Sequence, residues 1–280
     1  MAAALALLSA VLFGAGDFFG GAASRRSPVL VVVAISHLVG LVLILAVAPW
    51  MADEITWQDF TYGLGAGVFG IVGIGCLYHA LGRGPMAVVA PVTAVSNAAL
   101  PVLWGIGFGE RLSGLHIAGV LLGLGAIVLI SRGYSSISQV GAVTAGLLAE
   151  CLVAGIGFGG FFIIMDLTAE ATTPWPLVGA RIVSSSIAIL LLIRMRRSLI
   201  PRSGERLGVM VSAGILDMAG NLAILMAVHR GLLSLVVVLG SLYPASTVLL
   251  ARYVLGEKMT RTQVVGLVLA LIAVTSIVSG

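Results

Sequence analysis

Long apolar runs, broken only by short polar segments, fill this chain from end to end. A membrane-spanning helix needs ~20 mostly apolar residues. Ten stretches qualify, within the range of about 17–25 residues that spans show, at 2–23, 29–50, 60–81, 86–108, 115–131, 141–165, 175–194, 207–229, 232–254 and 263–279. The breaks read SRRSP, MADEITWQDF, GRGP, GERLSG, RGYSSISQ, DLTAEATTP, RMRRSLIPRSGERL, HRG and GEKMTRT. None could house a soluble domain. Unpaired backbone groups are costly in lipid, so the spans are predicted to be α-helices. Barrel strands are also excluded by length, since they need only ~9–11 residues.

The pattern repeats. At a shift of 147 residues, ALGRGPMAVV (80–89) falls on AVHRGLLSLV (227–236), Gly67 on Gly214, Gly73 on Gly220 and Glu110 on Glu257. Nearer the N-terminus the shift is 141 for Gly14/Gly155 and Gly16/Gly157, and 144 for SHLV (36–39) on ARIV (180–183). The halves are therefore 1–135 and 141–280, with five spans each. An odd number of spans ends on the opposite face from its start, so the second copy must be inserted upside down. The expected fold is an all-α integral membrane protein of ten transmembrane helices, built as two inverted five-helix repeats, an architecture common among secondary transporters.

Composition agrees with burial in lipid. The chain is 60% hydrophobic and 9% charged, against roughly 25% charged in soluble domains. A pI near 9.5 would suit nucleic acid, but the Lys and Arg residues lie scattered between spans and read as topology signals. No nucleic-acid partner is expected. The odd-numbered loops hold most of the Lys and Arg, and only Arg111 and Arg230 fall in the even loops. The positive-inside rule then puts the odd loops in the cytoplasm and both termini outside. Cys76 and Cys151 lie in apolar runs, without disulfide or metal spacing. The first run has no basic segment before it and reads as a span rather than a cleaved signal peptide. No Walker sequence is present, so ATP does not drive the chain directly; no cofactor or metal is expected.

Several motifs resemble a known family. FGAGDFFGG (13–21) is similar to the opening of EamA-like members of the drug/metabolite transporter superfamily. The stretch from Tyr78 to Ser131, with its Gly-Glu-Arg-Leu turn, resembles the end of one EamA unit, and residues 256–279 repeat that ending. GARIV (179–183) resembles the Arg-bearing second helix of a unit; the first unit has His37 at that place. The resemblance implies a multi-pass transporter of small metabolites in the plasma or inner membrane. It also implies cytoplasmic termini, against the charge count.

Ionisable residues inside a span are costly and mark functional sites. Asp17, Glu150 and Asp217 are the intramembrane carboxylates, with Asn221 one turn after Asp217 on the same face. Arg181, His37, His79, Asn97 and Tyr243 complete the candidates for solute or ion binding. The expected site is a polar cavity between the units, near the midplane, with proton exchange at one of the three carboxylates. Small-xxx-small pairs at Gly63/Gly67, Gly119/Gly123 and Gly155/Gly159 suit close helix packing and leave a monomer or a weak homodimer as the expected state. Pro91, Pro101 and Pro244 are expected to bend helices. The repeated corner, Gly109-Glu110 with Ser113 and Gly256-Glu257 with Thr260, reads as a helix end followed by an N-cap, not as a paired-carboxylate site. A membrane enzyme acting on a lipid-linked substrate and a passive channel are the competing readings.

Overall fold

The computed structural model describes residues 1–84, 86–131, 144–199, 207–246, 249–250 and 260–280. The described residues are helical and contain no strand. The helices are α1 Ala2–Ser24, α2 Val29–Met51, α3 Trp57–Arg83, α4 Met86–Gly107, α5 Gly114–Ser131, α6 Ala145–Asp166, α7 Trp175–Arg194, α8 Leu207–Val228, α9 Leu233–Gly240 and α10 Arg261–Ser279. Seven of these are long and apolar enough to cross a membrane, and three shorter apolar helices accompany them, at Val92–Gly107, Gly114–Leu129 and Leu233–Ser246.

Two boundaries differ from the hydropathy reading. The sixth helix starts at Ala145, where Thr144 caps it by accepting from Leu147 N. Glu150 is therefore in its second turn, not near its middle. The ninth span is interrupted after Gly240. Pro244 has no N–H to give to the Gly240 carbonyl, and the chain tightens there, with Leu242 N bonding Leu239 O and Ala245 N bonding Leu242 O. Pro101, by contrast, is accommodated within α4.

The helices pack as recurring pairs. α1 lies on α8, and α3 on α6. α2 meets α8 as α3 meets α7, and α1 meets α9 as α4 meets α6. α2 with α7, α4 with α9 and α5 with α10 join the remaining elements. Backbones touch at these crossings. A Cβ at Gly67 would stand 2.5 Å from the Ala180 carbonyl oxygen, and one at Gly214 would stand 2.5 Å from that of Ser36. Gly67 and Gly214 are counterparts at shift 147, and Ser36 and Ala180 at shift 144. Gly14 likewise abuts the Tyr243 carbonyl, while its counterpart Gly155 abuts that of Thr93.

One end of the bundle is laced together by its loops. Both termini lie there, with Ala2 against Gly231 and Gly280 against Ser113 and His116. Asp59 Oδ2 accepts from Ala169 N (3.0 Å) and Thr172 Oγ1 (2.7 Å). Asp53 N and Glu54 N both donate to Ala171 O. His229 sits between Thr168 and Thr173, each ring nitrogen 3.1 Å from a hydroxyl. Arg230 pairs with Glu170 at 2.6 Å.

The Gly-Glu corner belongs to this end. Gly109 turns with φ 103°, a conformation that favours glycine. Glu110 then accepts from Ser234 N in the first turn of α9, where a carboxylate is favoured by the free amides. Ser113 accepts from His116 N (3.1 Å) and donates its own N–H to His116 Nδ1 (3.3 Å), capping α5. In the second copy Thr260 and Gln263 form a full capping box on α10; Gly256 and Glu257 lie outside the described residues.

Candidate functional site

A cavity opens between the helices, with about 730 Å³ of empty space, part of it continuous with solvent. Two apolar clusters bracket it. One, with Phe162, Val237, Leu239 and Ile277, lies toward the laced end. The other, with Val32, Leu77, Tyr78, Cys151 and Leu192, fills the opposite half.

Seven of the nine binding candidates line this cavity: Asp17 from α1, His37 from α2, Asn97 from α4, Arg181 from α7, Asp217 and Asn221 from α8, and Tyr243 just beyond the α9 break. They come from five helices and the segment just after α9, in both sequence halves, and burial brings them to one place.

An ion pair anchors the site. Arg181 Nη2 donates to Asp217 Oδ2, and the two side chains are 8% and 16% exposed. Asn221, one turn on, donates to the Asp217 carbonyl (2.8 Å) and to Asp217 Oδ1 (3.2 Å). Helical i,i+4 spacing places it there. Arg181 Nε also points at Met218 Sδ (3.4 Å). The guanidinium is thus held by two residues of α8, and its charge is balanced within the protein. A buried pair of this kind is costly to break, because the surviving charge is left uncompensated.

Asp17 differs. It makes no hydrogen bond or ion pair among the described residues. Gly16 lets α1 approach α8 so closely that a Cβ there would lie 3.4 Å from Asp217 N, which sets Asp17 beside the Arg181–Asp217 pair. His37 Nδ1 is 2.8 Å from Ser184 Oγ. Asn97 Nδ2 donates to Ser241 Oγ (3.1 Å), and its buried Oδ1 has no hydrogen-bond partner among the described residues. Tyr243 Oη donates to Ala90 O (3.2 Å).

Glu150 and His79 lie elsewhere. Glu150 pairs with Arg83 at 2.5 Å and with His79 at 3.2 Å, in a half-exposed cluster joining the end of α3 to the start of α6. The later start of α6, at Ala145 instead of 141, explains this: the carboxylate reaches the end of the bundle instead of its middle.

The sequence reading missed part of the wall. Phe13, Phe158, Phe161 and Phe162 face the cavity, and Phe13–Phe162 and Phe161–Phe162 are in ring contact. The 158/161/162 spacing on α6, and Phe13 one turn before Asp17, were the available signals. Ser184 and Met218, which hold His37 and Arg181, had none. Among the described residues, no group of three or more His, Cys, Asp or Glu is placed to hold a metal ion.

Comparison with known proteins adds to this geometry. The sequence model of the EamA-like transporter family matches residues 1–132 and again 144–279. An uncharacterized protein of the archaeon Methanocaldococcus jannaschii is 29% identical over 129 residues, which is 45% of this chain and 93% of that protein. A solved crystal structure of a protein superposes with a TM-score of 0.73 at 18% identity, over 98% of this chain and 95% of that one; at that identity the likeness speaks for the fold alone.

Proposed function

Because the chain belongs to the EamA-like transporter family, and is therefore a multi-pass membrane protein of a family that moves small solutes, we propose that it is a secondary transporter working by alternating access. Two inverted five-helix units, residues 1–135 and 141–280, rock about the shared cavity. The solute binds among Asp17, His37, Asn97, Arg181, Asp217, Asn221 and Tyr243, and Asp17 exchanges a proton during the cycle. The observation that carries this reading is the convergence of polar side chains from both halves on one cavity between two apolar clusters. The mirrored crossings of Gly67 on Ala180 and Gly214 on Ser36 support the two-unit division, as does a relative about one unit long.

The site favours a carrier over the alternatives. A polar patch lying between two apolar clusters is what a carrier needs, since only one of the two barriers has to open at a time. The laced end is the closed one in this conformation, held across the units by Asp59 and Glu110. By the charge count that end faces outward at the plasma membrane, together with both termini. A C-terminal reporter active only in the cytoplasm tests that orientation and should stay silent.

Counterflow tests the transport mechanism. Solutes that raise the thermal midpoint of the purified protein are selected and loaded into proteoliposomes at high concentration. External labelled solute should then accumulate transiently above its equilibrium level. Simple equilibration without overshoot would identify a channel, and chemical conversion of the solute an enzyme.

A further inference from the structure

Resting on the reading of the cavity as a solute site, we propose that the solute is an organic monocation: an amine, protonated at neutral pH, attached to an aromatic or other apolar body.

Charge balance is the first argument. Three formally charged side chains line the cavity, Asp17, Asp217 and Arg181. Arg181 and Asp217 neutralise each other and are fixed by Asn221 and Met218. A solute carboxylate would have to break that pair to reach the guanidinium. Asp17 has no such partner among the described residues. With Asp17 ionised the cavity carries one net negative charge in an apolar setting, where an uncompensated ion is costly. A proton or one solute cation corrects it, but not both together.

The second argument is the polarity of the unused hydrogen-bonding groups. The Asp17 carboxylate and the Asn97 Oδ1 atom are both acceptors, and neither has a donor among the described residues. An ammonium group supplies several N–H donors from a single centre. The third argument is the wall. Phe13, Phe158, Phe161, Phe162 and Tyr243 line the same cavity. Aromatic faces attract a desolvated cation and also bury an apolar body.

Four probes with nearly the same body and different charge test the proposal: 2-phenylethylamine, phenylalanine, phenylacetate and 2-phenylethanol. Each is titrated into the purified full-length protein by calorimetry at neutral pH. The amine should bind at least tenfold more tightly than the other three. Asp17→Asn should weaken the amine at least tenfold while the protein stays monodisperse with a normal unfolding transition, and Asp17→Glu should restore part of the affinity. Equal or tighter binding of phenylacetate or phenylalanine overturns the proposal, as does amine binding that survives Asp17→Asn, or no binding of any probe. Where a carboxylate probe binds and Arg181→Gln abolishes it, the cavity is still the solute site and only the charge assignment fails. Where a probe binds and neither Asp17→Asn nor Arg181→Gln alters it, the cavity reading itself fails.

Discussion

Replacing Arg181 by Gln should be among the most damaging single changes to the α7–α8 contact, and its partner should rescue it. In the wild type the guanidinium and the Asp217 carboxylate are 8% and 16% exposed. Removing one member leaves a carboxylate whose remaining partner is the Asn221 amide. Breaking a buried pair in this way costs about 3–5 kcal/mol. Asp217→Asn should cost a similar amount, because it strands the arginine. The double variant leaves two neutral amides facing each other, with Asn221 still adjacent, so no charge is uncompensated. It should recover at least about 2 kcal/mol relative to the sum of the singles, the size of coupling expected for residues in direct contact. Equilibrium unfolding of the four proteins in a fixed detergent mixture with increasing SDS reads the cycle. If the single effects add to within about 0.5 kcal/mol, the pair is not coupled and the ion-pair anchor of the site is wrong.

Three further outcomes follow from the laced end and the crossings. Asp59→Ala removes the acceptor of Ala169 N and Thr172 Oγ1; Thr172 can fall back on Ala169 O, to which it already donates, so the loss is chiefly one charge-assisted bond, about 1.5–3 kcal/mol, seen as faster amide exchange across residues 167–174. His229 lies outside the spans, and burial pushes its pKa below the ordinary 6.5, outweighing the smaller upward pull of its backbone contacts at Met165 and Thr168 and of Glu170 and Asp59. The folded state therefore favours neutral His229, so the clamp on Thr168 and Thr173 is intact above pH 6.5 and weakens as pH falls below it. Exchange in 167–174, corrected for intrinsic rates, should rise in that direction, and His229→Gln should remove the pH dependence. Gly67→Val forces a side chain into the Ala180 carbonyl next to Arg181; overpacking of this kind costs about 1–3 kcal/mol, and both the unfolding midpoint and solute affinity should drop.

Hydropathy made the helices legible because lipid demands long apolar runs, and it made Asp17, Arg181 and Asp217 legible because a charge in such a run stands out. Those three meet in one cavity. Hydropathy was less informative at helix ends. A run of Gly, Ala and Val before Thr144 looks as apolar as a helix, so hydropathy starts α6 too early and sets Glu150 too deep. The break after Gly240 was hidden for the same reason, although Pro244 carried the warning. Ser184 and Met218 could not be read at all. A serine or methionine within a span is indistinguishable from packing until the helix opposite it is known. The cavity phenylalanines fall between these cases, since helical spacing was visible in the sequence but not which face it served.

His37 and Arg181 stand 144 residues apart at matching places in the repeat, and both open onto the cavity. The two halves thus differ at a position that sets the charge inside. With arginine at both, two cations would face two carboxylates, and the chamber would hold no charge for a solute to answer. The present pair leaves one carboxylate over. In the proposed reading, this one residue difference selects which charge class of solute the transporter admits, and altering it would be a short route to a carrier for a different cargo.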